Sequence, residues 1–278
     1  MSTPGEPPIP ATRAAPAASR RPAGARKAAV RPGVDAAYVL HHHDWSESSL
    51  ILDLFTREHG RVAVAAKGAK RPYSQLRSVL VPFQRLNVAW SVKRGENAEI
   101  HTLRSAEWAG GGLLPGAALL AGFYLNELLI RLLPRQDPHP LLFDAYAATL
   151  PVLAQPDGTP AQAALRAFEL VLLREHGVLP ALDVVTQTQQ PVGEGGGAGS
   201  AGYALRPEIG LTPDAAAGVP GPWWVSVQAA LDGGDLPRLQ SLCALAPAEL
   251  KAQLRGLLHY HLGHHPLRTR QLMMELQQ

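Results

Sequence analysis

The hydrophobic period of this chain changes near residue 112, and that change limits the architectures open to it. Before it, apolar side chains recur at every second position. In "SLILDLFT" (49–56) Leu50, Leu52 and Leu54 share one face, and in "RVAVAAKG" (61–68) Val62, Val64 and Ala66 do the same. That is the pattern of half-buried strands. The loop "REHG" (57–60) joins the two runs as a hairpin, with Gly60 at the position that needs positive φ. In residues 83–93 Leu86, Val88, Trp90 and Val92 face one way, while Arg85, Asn87 and Lys93 face the other. "RGEN" (94–97) makes the next turn before "AEIHTLRS", and "AAYVLHHH" supplies the first strand. Five short strands within about 70 residues suit a small closed barrel of the OB type. Residues 69–80 leave room for a loop and a short helix.

After the change the period is helical. "ALLAGFYLNELLIRLL" (118–133) stops at Pro134, "PLLFDAYAATLPVLA" (140–154) follows, and "PAQAALRAFELVLLREHG" (160–177) ends on Gly177 with Pro180 beyond it. Helical patterns resume near 223–231, 247–262 and 266. The expected fold class is α+β and multidomain: an OB-type barrel over 34–108, then an all-α domain over 109–278 with a flexible Gly-rich loop at 193–202. Residues 1–33 are Ala, Pro, Arg and Gly with almost no large apolar side chains. Such a segment cannot bury enough surface to offset its ordering entropy, so a disordered basic tail is expected.

Charge is uneven along the chain. Residues 57–94 hold nine basic groups against Glu58 alone, whereas residues 109–278 are net acidic. So local an excess suits a polyanionic partner, although lysines guarding sheet edges would also produce it. One cysteine, Cys243, excludes an internal disulfide and a cysteine zinc cluster. Its setting, "LQSLCALAP", predicts a buried, inert thiol. No apolar run approaches the roughly 18–20 residues that span a bilayer, and a cytosolic protein is expected.

The chemistry-bearing motifs mostly fail on spacing. "AAKGAKRP" (65–72) lacks the Gly-Lys-Ser/Thr ending of a triphosphate loop. "GEGGGAGSAG" (193–202) has no strand leading into it, as a dinucleotide site requires. The histidines of "HHH" (41–43) alternate across a strand, and those of "HYHLGHH" (259–265) spread around a helix end, so each is a weak zinc site and solvated or helix-capping histidines are the preferred reading. No nucleophile–base pair is apparent, and no catalysis, cofactor or small-molecule substrate is expected.

Nucleic-acid binding remains. Arg61, Lys67, Lys70, Arg71, Arg77, Arg85, Lys93 and Arg94 lie on strands three and four and their connections, where a barrel can bring them to one groove. Tyr73 offers either a stacking plane for an unpaired base or a ring packed over the barrel end. A pure protein-docking adaptor and an RNA-binding OB protein are the alternatives.

"AYVLHHHDWSESSLILDLFTREHGRVAVAAKGAKRPYSQLR", with "VPFQRLNVAW" and "HTLRSAEW" after it, resembles the N-terminal domain of the RecO family of bacterial recombinational-repair proteins. "GFYLNELLIRLLP", "ALRAFELVLLREHG" and "HPLRTRQLM" extend the likeness over roughly residues 36–270. The resemblance implies an OB barrel on a helical domain that binds single- and double-stranded DNA without a cofactor or membrane. It implies strand annealing and, with RecR, help for RecA in displacing single-strand-binding protein (SSB). DNA contacts would fall on Lys67, Lys70 and Arg71. The acidic, apolar C-terminal tail of SSB would dock on "ALRAFELVLL", with Arg166 meeting a carboxylate and Leu165 and Phe168 flanking it. Many members carry a four-cysteine zinc knuckle after the third helix. The corresponding stretch here has no cysteine, so zinc is not expected and a flexible loop should replace the knuckle.

Overall fold

A computed structural model of the chain describes residues 34–91, 99–155, 158–193, 202–214, 216, 219–246, 248–263 and 266–275. Strands β1 (Asp35–Asp44), β2 (Leu50–Thr56), β3 (Gly60–Ala66), β4 (Arg85–Ser91) and β5 (Ile100–Gly110) close a barrel in the order β1-β2-β3-β5-β4. Neighbours are antiparallel except β3 and β5, which run parallel. The expected OB-type barrel is therefore present. Its interior is filled by the alternating residues Leu52, Leu54, Val62, Val64, Leu86, Val88 and Trp90. Gly60 has φ +66°, and a Cβ there would stand 2.0 Å from the carbonyl oxygen of Asp137. The hairpin turn thus needs glycine for its conformation and for its close approach to the chain beyond the first long helix.

The barrel is buried on its outside as well. Tyr38, Leu40 and Phe55 point away from the barrel interior and join the core formed with Leu125, Leu128, Phe143 and Tyr146. Those partners come from α2 (Gly116–Leu132) and α3 (Pro140–Leu153). Phe55 meets Phe143 at 5.4 Å between ring centroids, and Tyr38 meets Tyr146 at 4.9 Å. Polar links follow the same seam: Asn126 Nδ2 donates to the Leu40 carbonyl at 3.0 Å, and the Tyr146 hydroxyl donates to Asn126 Oδ1 at 2.6 Å.

Helix α4 (Gly158–Glu175) runs through the helical part, packed by α3, by α6 (Leu236–Ala244) and by α7 (Ala248–Leu262). It closes on Gly177 at φ +76°. Helix α5 (Gly221–Asp232) precedes α6, and α8 (Arg268–Glu275) straps back onto α2. The strap is fastened by Glu127, whose carboxylate accepts the Arg268 amide (2.8 Å), the Thr269 amide (3.0 Å) and the Thr269 hydroxyl (2.7 Å). Burial works against the charge on Glu127, but these bonds and Arg131 outweigh it and lower its pKa.

The second half is not purely helical. β6 (Gly202–Arg206), β7 (Gly210–Pro213) and β8 (Val219–Pro220) form a three-stranded sheet in the order β7-β6-β8. These strands are short and rich in Gly and Pro, so their periodicity was too brief to register against turn signals. Most of the Gly-rich stretch 193–202, and the tail 1–33, lie outside the described residues. Helix α6 forms over the apolar, helix-like stretch around Cys243, and Asp235 caps it by accepting the Arg238 amide at 3.0 Å. Cys243 on α6 is buried, and burial, the main cause, pushes its thiol up to about 12. Among the described residues no helix is long and apolar enough to cross a membrane, and no group of three metal-ligating side chains is assembled.

Candidate nucleic-acid interface

The basic stretch divides at β3. At the start of that strand Arg61 is 7% exposed. Its Nε and Nη2 donate to the two carboxylate oxygens of Asp53 at 3.3 and 2.7 Å. Its Nη1 donates to the carbonyls of Ile130 and Leu133 at 2.5 and 2.6 Å. Those carbonyls belong to the C-terminal turn of α2, where backbone oxygens lack helical partners and the helix dipole is negative. Arg61 is therefore a cap between barrel and helix rather than a phosphate ligand. Outward-facing side chains of a small barrel read as solvated until a second layer covers them, and α2 is that layer.

Beyond the other end of β3 the chain stays in solvent. Gly68 at φ +74° turns it, the Arg71 amide donates to the Gly68 carbonyl at 3.2 Å, and Ala69 is tucked into the barrel core at 1% exposure. The Lys70 amide donates to the Ser48 carbonyl at 3.0 Å, and its Nζ reaches Asp44 Oδ2 at 3.2 Å and the Ser46 carbonyl at 3.3 Å. Lys70 thus braces this loop against the β1–β2 loop. Lys67, Arg71, Tyr73 and Arg77 are left exposed, with Tyr73 almost fully so. The short helix α1 (Leu76–Val79) carries Arg77 outward while Leu76 and Val79 pack on the barrel core. Of the two readings of Tyr73, the packed ring is excluded by its exposure.

Arg85 sits apart from this group. It is exposed at the start of β4, with its guanidinium carbon 6.0 Å from the centroid of the Phe143 ring of α3. Lys93 and Arg94 fall outside the described residues. The structure thus gathers Lys67, Lys70, Arg71, Tyr73 and Arg77 at one barrel end and separates Arg61 and Arg85 from them. Two exposed residues of β5, Arg104 and Trp108, went unmarked in the sequence. Each stands alone in an alternating strand, which offers no signal beyond residue type.

The residues expected to receive an acidic tail are mostly interior. Leu165 is 7% exposed and Phe168 0%, with Phe168 packed 6.2 Å from the Tyr146 ring centroid. The cause is the central position of α4, which leaves its apolar stripe no free side. Only Arg166 reaches the rim, its side chain 13% exposed and its Nη2 2.7 Å from Glu169 Oε1. The Tyr124 hydroxyl donates to the same oxygen at 2.7 Å. Glu169 is fully buried, and burial raises its pKa despite the opposing pull of Arg166, Arg255 and Lys251. Lys251 and Arg255 of α7 are exposed, so Arg166 lies at the inner edge of a cationic rim.

Two family models match the chain: "Recombination protein O N terminal" over residues 30–111 and "Recombination protein O C terminal" over residues 116–271. Among relatives, the chain is 53% identical to a DNA repair protein RecO of Polaromonas naphthalenivorans (strain CJ2), covering 87% of this chain and 96% of that one. It is 52% identical to a protein of the same name from Polaromonas sp. (strain JS666 / ATCC BAA-500), covering 89% and 98%. A third, from Acidovorax ebreus (strain TPSY), is 50% identical over 90% of this chain and 99% of its own.

Proposed function

The chain belongs to the RecO family, and from that premise we propose that it is a DNA-binding recombination mediator acting in DNA repair. It grips single- and double-stranded DNA through phosphates, anneals complementary strands and, with RecR, helps RecA load on single strands coated by SSB. It makes and breaks no covalent bond. The observation that carries this reading is the loop 67–77: exposed Lys67, Arg71 and Arg77 on a backbone held by Ala69, Lys70 and α1. Cations on a braced loop bind a polyanion at lower entropic cost than cations on a floppy one. Spread phosphate contacts give affinity without sequence choice.

Single-strand affinity is expected to fall with salt at a log–log slope of about −3 if about four phosphates are neutralised. Binding that ignores salt between low and moderate concentrations would refute the reading. An annealing assay with bare and SSB-coated strands tests the mediator step.

The cationic rim of Arg166, Lys251 and Arg255 supports a second role, docking of the acidic SSB tail. Leu165 and Phe168 hold α4 from beneath and do not touch the tail. Replacing Lys251 and Arg255 by Glu should weaken binding of a tail peptide while DNA affinity is kept. Equal peptide affinities for variant and parent would remove the rim from this role.

A further inference from the structure

We propose that the groove between α1 and β5 is a stacking site for an unpaired nucleobase, with Trp108 as its platform. The inference rests on the DNA-binding reading above and adds where, and in what form, the strand is held. OB barrels commonly bind oligonucleotides across the outer face of strands two and three. Here that face is closed: Phe55 and Arg61 are engaged by the helices, and Ala63 and Ala65 are 2% and 3% exposed. The usual face is thus unavailable to a strand, whereas the barrel end that carries the loop 67–77 is exposed.

β5 runs parallel to β3, pairing Thr102 with Ala65, and continues beyond the end of β3. This brings Ser105–Trp108 to the same end of the barrel as the basic loop. Three aromatic rings of the described barrel are strongly exposed: Trp45 at 54%, Tyr73 at 99% and Trp108 at 60%. Of these, Trp108 borders a concave space. The groove measures about 600 Å³ and is walled by Gln75 and by Leu76 and Val79 of α1 on one side and by Ser105–Trp108 on the other.

Its chemistry suits a base better than a phosphate. The indole and the half-buried Leu76 and Val79 give the groove an apolar side, and stacking on an indole is open to every base because each has a π-face. The exposed Gln75 amide, whose oxygen accepts and whose nitrogen donates, can pair with base edges. Exposed Arg77 on α1 and Arg104 on β5 attract phosphate to the flanks. Bases in a duplex are already stacked and paired, so the groove admits single strands and rejects duplex.

The test uses the full chain and fluorescence anisotropy with three probes: an oligo-dT, an abasic oligomer of equal length, and a duplex. The parent protein should prefer oligo-dT to the abasic strand by about tenfold. Trp108→Ala should erase that preference and leave duplex affinity within about twofold, and Trp108→Phe should retain most of it. Ala106→Leu, on the same face of β5 as Trp108 and beside Leu76 and Val79, crowds the groove and keeps the indole; it should also erase the preference, so the result does not hang on one variant's folding. The inference is overturned if Trp108→Ala and Ala106→Leu keep the parent's preference, or if single-strand and duplex affinities drop together. Charge reversal at Lys67 and Arg71 separates the two readings. If it weakens binding while the groove variants do not, the groove fails and the DNA grip stands; if nothing changes affinity, the grip fails as well.

Discussion

Arg61 and Arg71 belong to one basic stretch, yet they flank β3 at opposite ends and do unrelated work. Arg61 lies under α2, with a carboxylate and two helix-end carbonyls around it. Arg71 stands in solvent after a glycine turn, on a loop whose brace is its neighbour Lys70. One arginine holds two layers together, and the other is available to a partner. Residue type and local charge density are the same for both. What differs is whether a second layer covers the strand, and that is decided by residues 69 to 72 positions further along the chain.

Variants should separate the two regions sharply. The largest effect is expected from Arg61→Ala, which leaves the buried Asp53 carboxylate with the longer 3.7 Å contact to Arg135 and uncovers the last carbonyls of α2. Breaking such a pair costs about 3–5 kcal/mol, visible as a lower urea midpoint; a midpoint equal to the parent's would mean that Arg61 is not the cap described. Reversing charge at Lys67 and Arg71 should do the opposite. The urea midpoint should stay while single-strand affinity falls by an order of magnitude, and the salt slope should flatten by about 1.4 for two lost contacts. The smallest effect concerns the strap. Glu127 has a lowered pKa in the fold, so its contribution is complete above the ordinary carboxylate value of 4.5 and is lost as pH falls through the lowered one. Protection factors of the α8 amides, observed exchange set against the intrinsic rate at each pH, should therefore fall on acidification below that range. In Glu127→Gln they should be lower at neutral pH and less sensitive to acid.

Much of the barrel was legible because each strand has one face inside it. Leu52, Leu54, Val62, Val64, Leu86 and Val88 are buried as their alternation requires, and Gly60 takes the positive φ its turn demands. The outer face was not legible, since Phe55 and Arg61 are covered by helices distant in sequence. The same limit applies to α4. An apolar stripe beside Arg166 looks identical whether it meets a ligand or Tyr146. In the candidate interface Lys67, Arg71 and Tyr73 stand out in the sequence through charge and loop position. Trp108 does not, because the groove beside it is made by α1, which the strand pattern of β5 cannot show.

The insertion of Tyr38, Leu40 and Phe55 into the helical core has a consequence for folding. A barrel whose outer wall is lined by large aromatics has no stable life as a separate piece, because cutting it free would bare those rings to water. The barrel and the helices that receive them should melt in one cooperative step despite their different architectures. A ribosome would finish β5 well before α3 could cover β1 and β2. Until α3 emerges the nascent barrel carries a sticky flank, and the native structure is reached only when later helices close over earlier strands.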